Sequence, residues 1–365
     1  MKKYILLFSV HFFCAFSQNK GESYYLDFQF FRGNIYKHTS DISHLIVGHP
    51  DGFLFSVNKK TNGSKEWHRA YNYPDYGLSL QSIDFKNPIL GKNFAVGLHY
   101  NFYFFKRQLL FRISQGIAMT TNPYSKEINN KNNAFGTKIL DNNYFFLQYQ
   151  KQNILGAFGF QAGFLFTHFS NGRFKAPNSG LNAYALTLGL NYNFEKQYIK
   201  KIDTVPDTTK FYKEHIKYNI AFRTGISEGP VVGLGQREFF HVGLYVDKRI
   251  GRKSALQLGT DLFFSNYLKN YIKYKAVAFP DKEPIDPNVD YKRVGLFVGH
   301  ELFINKLSIE TQLGYYIYKP FKYEVSVYQR LAMKYYLTKS LFTGFGLKTH
   351  GGRAEAIEFT VGGRL

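Results

Sequence analysis

The segment Thr167-His168-Phe169-Ser170-Asn171-Gly172 sets a histidine and a serine two residues apart. On an extended chain that spacing turns both side chains to one face. An imidazole beside a hydroxyl can take the Ser170 Oγ proton, and the alkoxide can then attack an acyl carbonyl. Such a pair needs a third group to hold the ring. The next extended run opens at Asn182, whose parity matches Tyr184 and Leu186. A short loop from Asn171 to Leu181 joins the two runs and brings Asn182 beside His168. Ser170, His168 and Asn182 therefore form a candidate Ser-His-Asn set. The turn at Asn171 and Gly172 is placed to offer backbone N–H groups to an oxyanion. The competing reading is that polar residues simply end a membrane strand.

The elements around these residues read as strands. From Ile154 to Ser170 one face carries Phe158, Phe160, Ala162, Phe164 and Phe166, and the other Ala157, Gly159, Gln161, Gly163 and Thr167, with Leu165 as a large apolar exception. From Asn182 to Phe194, Tyr184, Leu186, Leu188, Leu190 and Tyr192 oppose Ala183, Ala185, Thr187, Gly189 and Asn191. The second half repeats this alternation: Leu256, Leu258 and Leu262 face away from Gln257, Gly259 and Asp261, and Phe359 and Val361 away from Glu358 and Thr360. Runs this long exceed a usual soluble strand of about 5–6 residues and suit a tilted membrane strand of about 9–11. His168 and Ser170 share the apolar, lipid-facing side.

Composition agrees. Aromatic residues make up 19% of the 365, with 38 Phe and 29 Tyr, while charged residues make up 20%. No apolar stretch beyond the N-terminus is long enough for a membrane helix, so a crossing must be made by strands. Lys2 and Lys3, the apolar run Tyr4 to Phe16 and Ala15-Phe16-Ser17 read as a cleavable signal peptide over 1–17. The single cysteine, Cys14, falls within it, so the exported chain is expected to have no disulfide. The formal charge of +21 is scattered over strands and loops, with no nucleic-acid motif, so nucleic acid is excluded as a partner. Lys and Arg at loop level suit phosphorylated lipopolysaccharide. No His, Asp or Glu spacing argues for a metal site, and no cofactor is expected. His99 reads as a lumen residue, and His300 and His350 as residues of strand ends or loops.

The fold class is all-β, a transmembrane antiparallel barrel of roughly fourteen to sixteen strands. Residues 18–194 supply the strands around the site, 195–214 a polar periplasmic connection, and 215–365 the C-terminal strands. Tyr192-Asn193-Phe194 resembles a barrel C-terminus. A single barrel is the preferred arrangement; a barrel of about eight strands followed by a second β unit is the alternative. The loops 120–137 and 278–291 belong on the side with longer loops.

His168-Phe169-Ser170-Asn171-Gly172, followed by Lys175, Pro177-Asn178 and Gly180, resembles the active-site segment of the PagL family, the outer-membrane lipid A 3-O-deacylases. The resemblance extends through Phe194 and says nothing about the C-terminal half. It implies a bacterial outer-membrane serine esterase that removes the 3-O-linked hydroxyacyl chain of lipid A. Ser170 matches the nucleophile, His168 the base, and Asn171 an asparagine beside the family's serine. The family's acidic third member is replaced by Asn182, which can accept the imidazole N–H without adding charge. A non-catalytic barrel, pore or structural protein, is the alternative function. The oligomeric state is left open, a homodimer included.

Overall fold

In the computed structural model, residues 23–194, 214–280 and 284–365 are described. The expected leader over 1–17, Cys14, and residues 195–213 of the expected connection lie outside them. Sixteen antiparallel strands form two closed barrels, each of eight. The first comprises β1 (Ser23–Tyr36), β2 (Asp51–Lys60), β3 (Asp75–Asp84), β4 (Lys92–Phe104), β5 (Leu109–Thr120), β6 (Ile139–Leu155), β7 (Phe158–Ser170) and β8 (Leu181–Asn193). The second comprises β9 (Lys217–Glu228), β10 (Gln236–Arg249), β11 (Ser254–Ser265), β12 (Arg293–Ile304), β13 (Leu307–Tyr318), β14 (Val327–Tyr336), β15 (Leu341–His350) and β16 (Arg353–Arg364). The transmembrane-type β-barrel fold expected from the alternation is what forms. Of the two arrangements, the single large barrel is not adopted. β1 pairs with β8, Tyr25 to Asn193 through Tyr36 to Asn182, and this satisfies the edge that β9 would otherwise have to cover. β9 pairs instead with β16.

An eight-stranded barrel leaves an interior just wide enough for side chains, and both lumens are filled. The first is apolar toward the rim that bears Ser170, called the upper rim below. There Phe31, Ile35, Ile83, Phe85, Leu140, Phe169 and Leu181 meet Phe135 from the loop over the rim. Leu165, the exception to the polar side of its strand, belongs to this cluster. Fully burying one such side chain is worth about 1.5–3 kcal/mol, so the cluster ties the loops to the strand ends. Toward the lower rim the lumen is polar. Arg112 donates to Asp27, Ser56 and Asn101, and His99 lies 2.8 Å from Asn58 Oδ1 and 2.6 Å from Ser79 Oγ.

The second lumen is ionic. Arg330 meets Asp261 and Glu358, Lys334 meets Glu301 and Glu310, and Arg293 and Lys348 both meet Glu355. Charges on inward positions are tolerated because each has an opposite partner; an unpaired one in this space would be strongly destabilising. The outer walls carry the apolar positions, Leu186 at 73% exposed and Leu98 at 71% among them.

Among the described residues two α-helices lie in the connections, α1 (Glu66–Ala70) at the lower rim and α2 (Tyr267–Ala278) at the upper, beside a 3-10 turn over Ser40–Leu45. The strand pattern did not foretell α2. Its Tyr267, Leu268, Tyr271 and Ile272 cluster with Phe321 over the mouth of the second barrel. The barrels stand side by side with the same end up and touch at both rims. At the lower rim Tyr71 donates to Phe303 O at 2.6 Å, Lys253 sits 4.6 Å from the Tyr71 ring, and Arg252 pairs with Glu66. At the upper rim the contact is made by the loop after Ser170.

Candidate active site

β7 and β8 are adjacent, and their register puts His168 directly opposite Asn182. His168 Nδ1 lies 2.6 Å from Asn182 Oδ1. An amide oxygen can only accept, so this contact fixes the proton on Nδ1 and leaves Nε2 as the basic nitrogen. The ring is on the outer wall, on the parity of Phe164, and Phe164 stacks on Tyr184 of β8 with ring centroids 6.2 Å apart. Ser170 ends β7 two residues on, on the same wall. A Cβ on Gly180 would stand 3.2 Å from both His168 Cε1 and Ser170 Cβ, so the two side chains border one point. Among the described residues no hydrogen bond joins Ser170 Oγ to the ring; such contacts are often loose before substrate binds.

The structure thus brings together all five residues singled out from the sequence. Gly172 has φ +59° and aims its N–H at Ser170 Oγ, 3.3 Å away. Asn171 braces the loop: its N–H donates to Asn178 Oδ1 at 2.8 Å and its Nδ2 to Lys175 O at 2.7 Å. Ser170 and Asn171 are both nearly buried, at 5% and 4% exposed, because the loop folds back over them.

Sequence reasoning missed Asp141. It pairs directly with Ser170 across β6 and β7 and points to the outer wall, where Gln115 and Asn143 donate to its two oxygens. A polar strip therefore runs from Asn182 through His168 and Ser170 to Asp141 and Gln115 across a wall that is otherwise apolar. The signal was present, since Asp141 and Asn143 share parity with the exposed Phe145 and Leu147.

A second array of similar chemistry lies inside the C-terminal barrel. Ser265 Oγ is 3.0 Å from His241 Nε2, and His241 Nδ1 is 2.7 Å from Glu358 Oε1. Ser265 is only 1% exposed, and its Oγ is also held by Arg293 and Glu355. An ester has no path to it, and its groups serve the ionic lumen. Glu324, His350 and Glu355 converge closely enough for a cation. Lys348 and Arg293 already occupy the Glu355 carboxylate, so the donor set is charge-balanced without one.

Known proteins give two kinds of likeness. Residues 51–191 match the family model for lipid A 3-O-deacylase (PagL), and residues 216–365 match that for the acyloxyacyl hydrolase C-terminal domain. No curated protein sequence matches. Among solved structures, CdiB from Acinetobacter baumannii is 8% identical, with 95% of this chain and 60% of that chain covered and a TM-score of 0.19. The Acinetobacter baumannii outer membrane protein Omp33 is 8% identical, with 95% and 99% covered and a TM-score of 0.18. A mutant of the Rh. blastica porin is 6% identical, with 94% and 99% covered and a TM-score of 0.19. These structural likenesses are too weak to bear on function. The two family matches divide the chain between the two barrels: the first barrel is similar to the lipid A 3-O-deacylase (PagL) family, and the second to the acyloxyacyl hydrolase C-terminal domain.

Proposed function

We propose that the protein is a serine esterase of the bacterial outer membrane that releases the 3-O-linked hydroxyacyl chain of lipid A. The observation that carries this reading is the His168–Asn182 contact on the lipid-facing wall, two residues from Ser170. A soluble hydrolase would bury such a set in a cleft. Here it stands where a membrane lipid can approach sideways, with acyl chains along Phe164, Tyr184 and Leu186 and the sugar at the rim. Exposed Lys126, Lys131, Lys138 and Lys175 in the upper-rim loops suit the phosphates of lipopolysaccharide, which supports an outer-leaflet position for that rim.

In the reaction, Ser170 Oγ gives its proton to His168 Nε2 and bonds to the ester carbonyl carbon. The Gly172 N–H, aimed at Ser170 Oγ before attack, is beside the carbonyl that Oγ joins and can turn to the developing oxyanion. Collapse expels the sugar 3-hydroxyl, which takes the proton from His168, and leaves an acyl-serine. Water, deprotonated by His168, then releases the hydroxy acid and restores Ser170. Asn182 keeps the ring in the right tautomer but cannot offset the imidazolium charge, so turnover is slower than with a carboxylate there.

A pore is disfavoured by the same structure, since both lumens are crossed by hydrogen-bonded side chains, Arg112 in one and Arg330 in the other. Mass spectrometry of lipid A from cells carrying the wild type or Ser170→Ala tests the proposal. Loss of one hydroxyacyl mass in the wild type alone supports it. Unchanged lipid A with folded wild-type protein present would overturn it.

A further inference from the structure

The loop that follows Ser170 is held from both sides: its end donates from Ser179 and Gly180 N–H to Asn133 O and Ala134 O of its own barrel, and its first half is gripped by the other barrel. Glu228, the last residue of β9 and 3% exposed, reaches it twice. Its N–H donates to Arg173 O at 3.1 Å, and its Oε2 accepts the Ala176 N–H at 2.7 Å. Its other oxygen, Oε1, accepts Gly235 N–H at 3.1 Å and Gly233 N–H at 3.3 Å. Both glycines have positive φ, which turns successive amides toward one oxygen. The carboxylate is therefore anchored in the second barrel on one side and grips the active-site loop on the other. Gln236 adds a donation to Phe174 O at 2.9 Å. Arg173 donates to Tyr323 OH at 3.1 Å and lies over the rings of Tyr323 and Tyr267, 5.9 and 5.3 Å from their centroids. Ile357, on the outer wall of β16, closes on Gly172 so tightly that a Cβ there would meet Ile357 Cγ1 at 2.2 Å.

We propose that the C-terminal barrel is a built-in part of the acyl-hydrolase site, and that Glu228 is a positioning residue for the loop between Ser170 and Asn182. The inference rests on the esterase reading above. The physical reason is what that loop connects. It joins the nucleophile to the strand that orients His168, and it carries the Gly172 amide that donates to Ser170 Oγ. Without the second barrel its first half, residues 172–176, would sample many arrangements, and only a few aim that amide correctly. Docking against a rigid second barrel removes this freedom before substrate arrives.

The test uses the full chain folded in lipid vesicles containing lipid A, with Glu228→Gln. An amide keeps one acceptor oxygen and sets an NH2 among three converging N–H donors, so the grip is lost with little change of shape. Loss of a charged hydrogen bond predicts about tenfold faster amide exchange over 172–176 and about tenfold lower kcat, with KM within about twofold. Exchange that stays at the wild-type rate overturns the clamp. Faster exchange with unchanged kcat overturns the positioning role. If Glu228→Gln does not fold, Tyr323→Phe removes only the hydroxyl facing Arg173 and is expected to shift both readouts the same way by about threefold. A wild type that shows loop protection but no ester hydrolysis sinks the esterase reading instead, and the exchange data then decide the clamp by themselves.

Discussion

His168 and Asn182 sit directly opposite each other on neighbouring strands, with Nδ1 and Oδ1 2.6 Å apart. The acceptor is neutral, where the resemblance of this segment leads one to expect a carboxylate. Asn182→Ala is expected to lower kcat by about a hundredfold or more, because the ring is then free to turn. Asn182→Glu keeps the acceptor and adds charge opposite the imidazolium. It is expected to match or exceed the wild type in released hydroxy acid. Clear inactivation by Glu would refute the orienting role.

Ser170→Ala and His168→Ala should each leave both barrels assembled and reduce acyl release by on the order of 10⁴-fold. The assembly is read by heat-modifiable mobility on gels and the release by chromatography of the free fatty acid. If both variants fail to assemble, the residues belong to the structure and not to the chemistry.

The Arg112–Asp27 pair crosses the first lumen at 2.7 Å with neither side chain exposed. Asp27→Ala leaves a buried guanidinium facing Asn58 and Ser56 without its countercharge. The expected loss of stability is about 3–5 kcal/mol, measured as a shift of the urea unfolding midpoint. Asp27→Ala paired with Arg112→Met should recover most of it, since the charge is removed together with its partner.

The filled lumens predict no stable single-channel conductance for the wild type in a planar bilayer. Steady channels that persist in Ser170→Ala would favour a pore over an esterase.

His68 of α1 lies against Trp67, ring centroids 4.3 Å apart, beside the lower-rim contact between the barrels. Burial, with Lys65 and Arg69 nearby, lowers its pKa from 6.5 to about 4. The unfolded chain takes up the proton as pH falls through 6.5, and the folded chain only near 4. Stability from this group is thus present above pH 6.5 and lost as pH falls toward 4. The urea midpoint of the wild type should drop across that window, and the drop should be smaller in His68→Gln. Equal drops in both would exclude His68 as the source.

Much of the barrel wall was legible in the residues themselves. The alternation that sets Phe164 and Leu186 outward and Gln161 and Thr187 inward follows from the two-residue period of a strand, and it holds whatever the strand pairs with. The His168–Asn182 match was legible because one short loop joins their strands, which fixes parity across the turn. Asp141 escaped because the β6–β7 hairpin shifts register between Lys151 and Leu155, so counting back from the turn does not give its partner. Glu228 escaped for a stronger reason: its partners Arg173 and Ala176 lie in the other barrel.

The sequence by itself determined that the chain folds as long alternating strands, which wall of each is apolar, and which residue types stand together at the end of β7. Only the tertiary structure decided that the strands close as two barrels. A period-two pattern is the same in one barrel of sixteen or two of eight, and the choice rests on whether β8 finds β1 or β9 as its hydrogen-bonding edge. Tertiary structure alone also brought Glu228 against the Ser170 loop, since that contact depends on how two finished barrels stand beside each other.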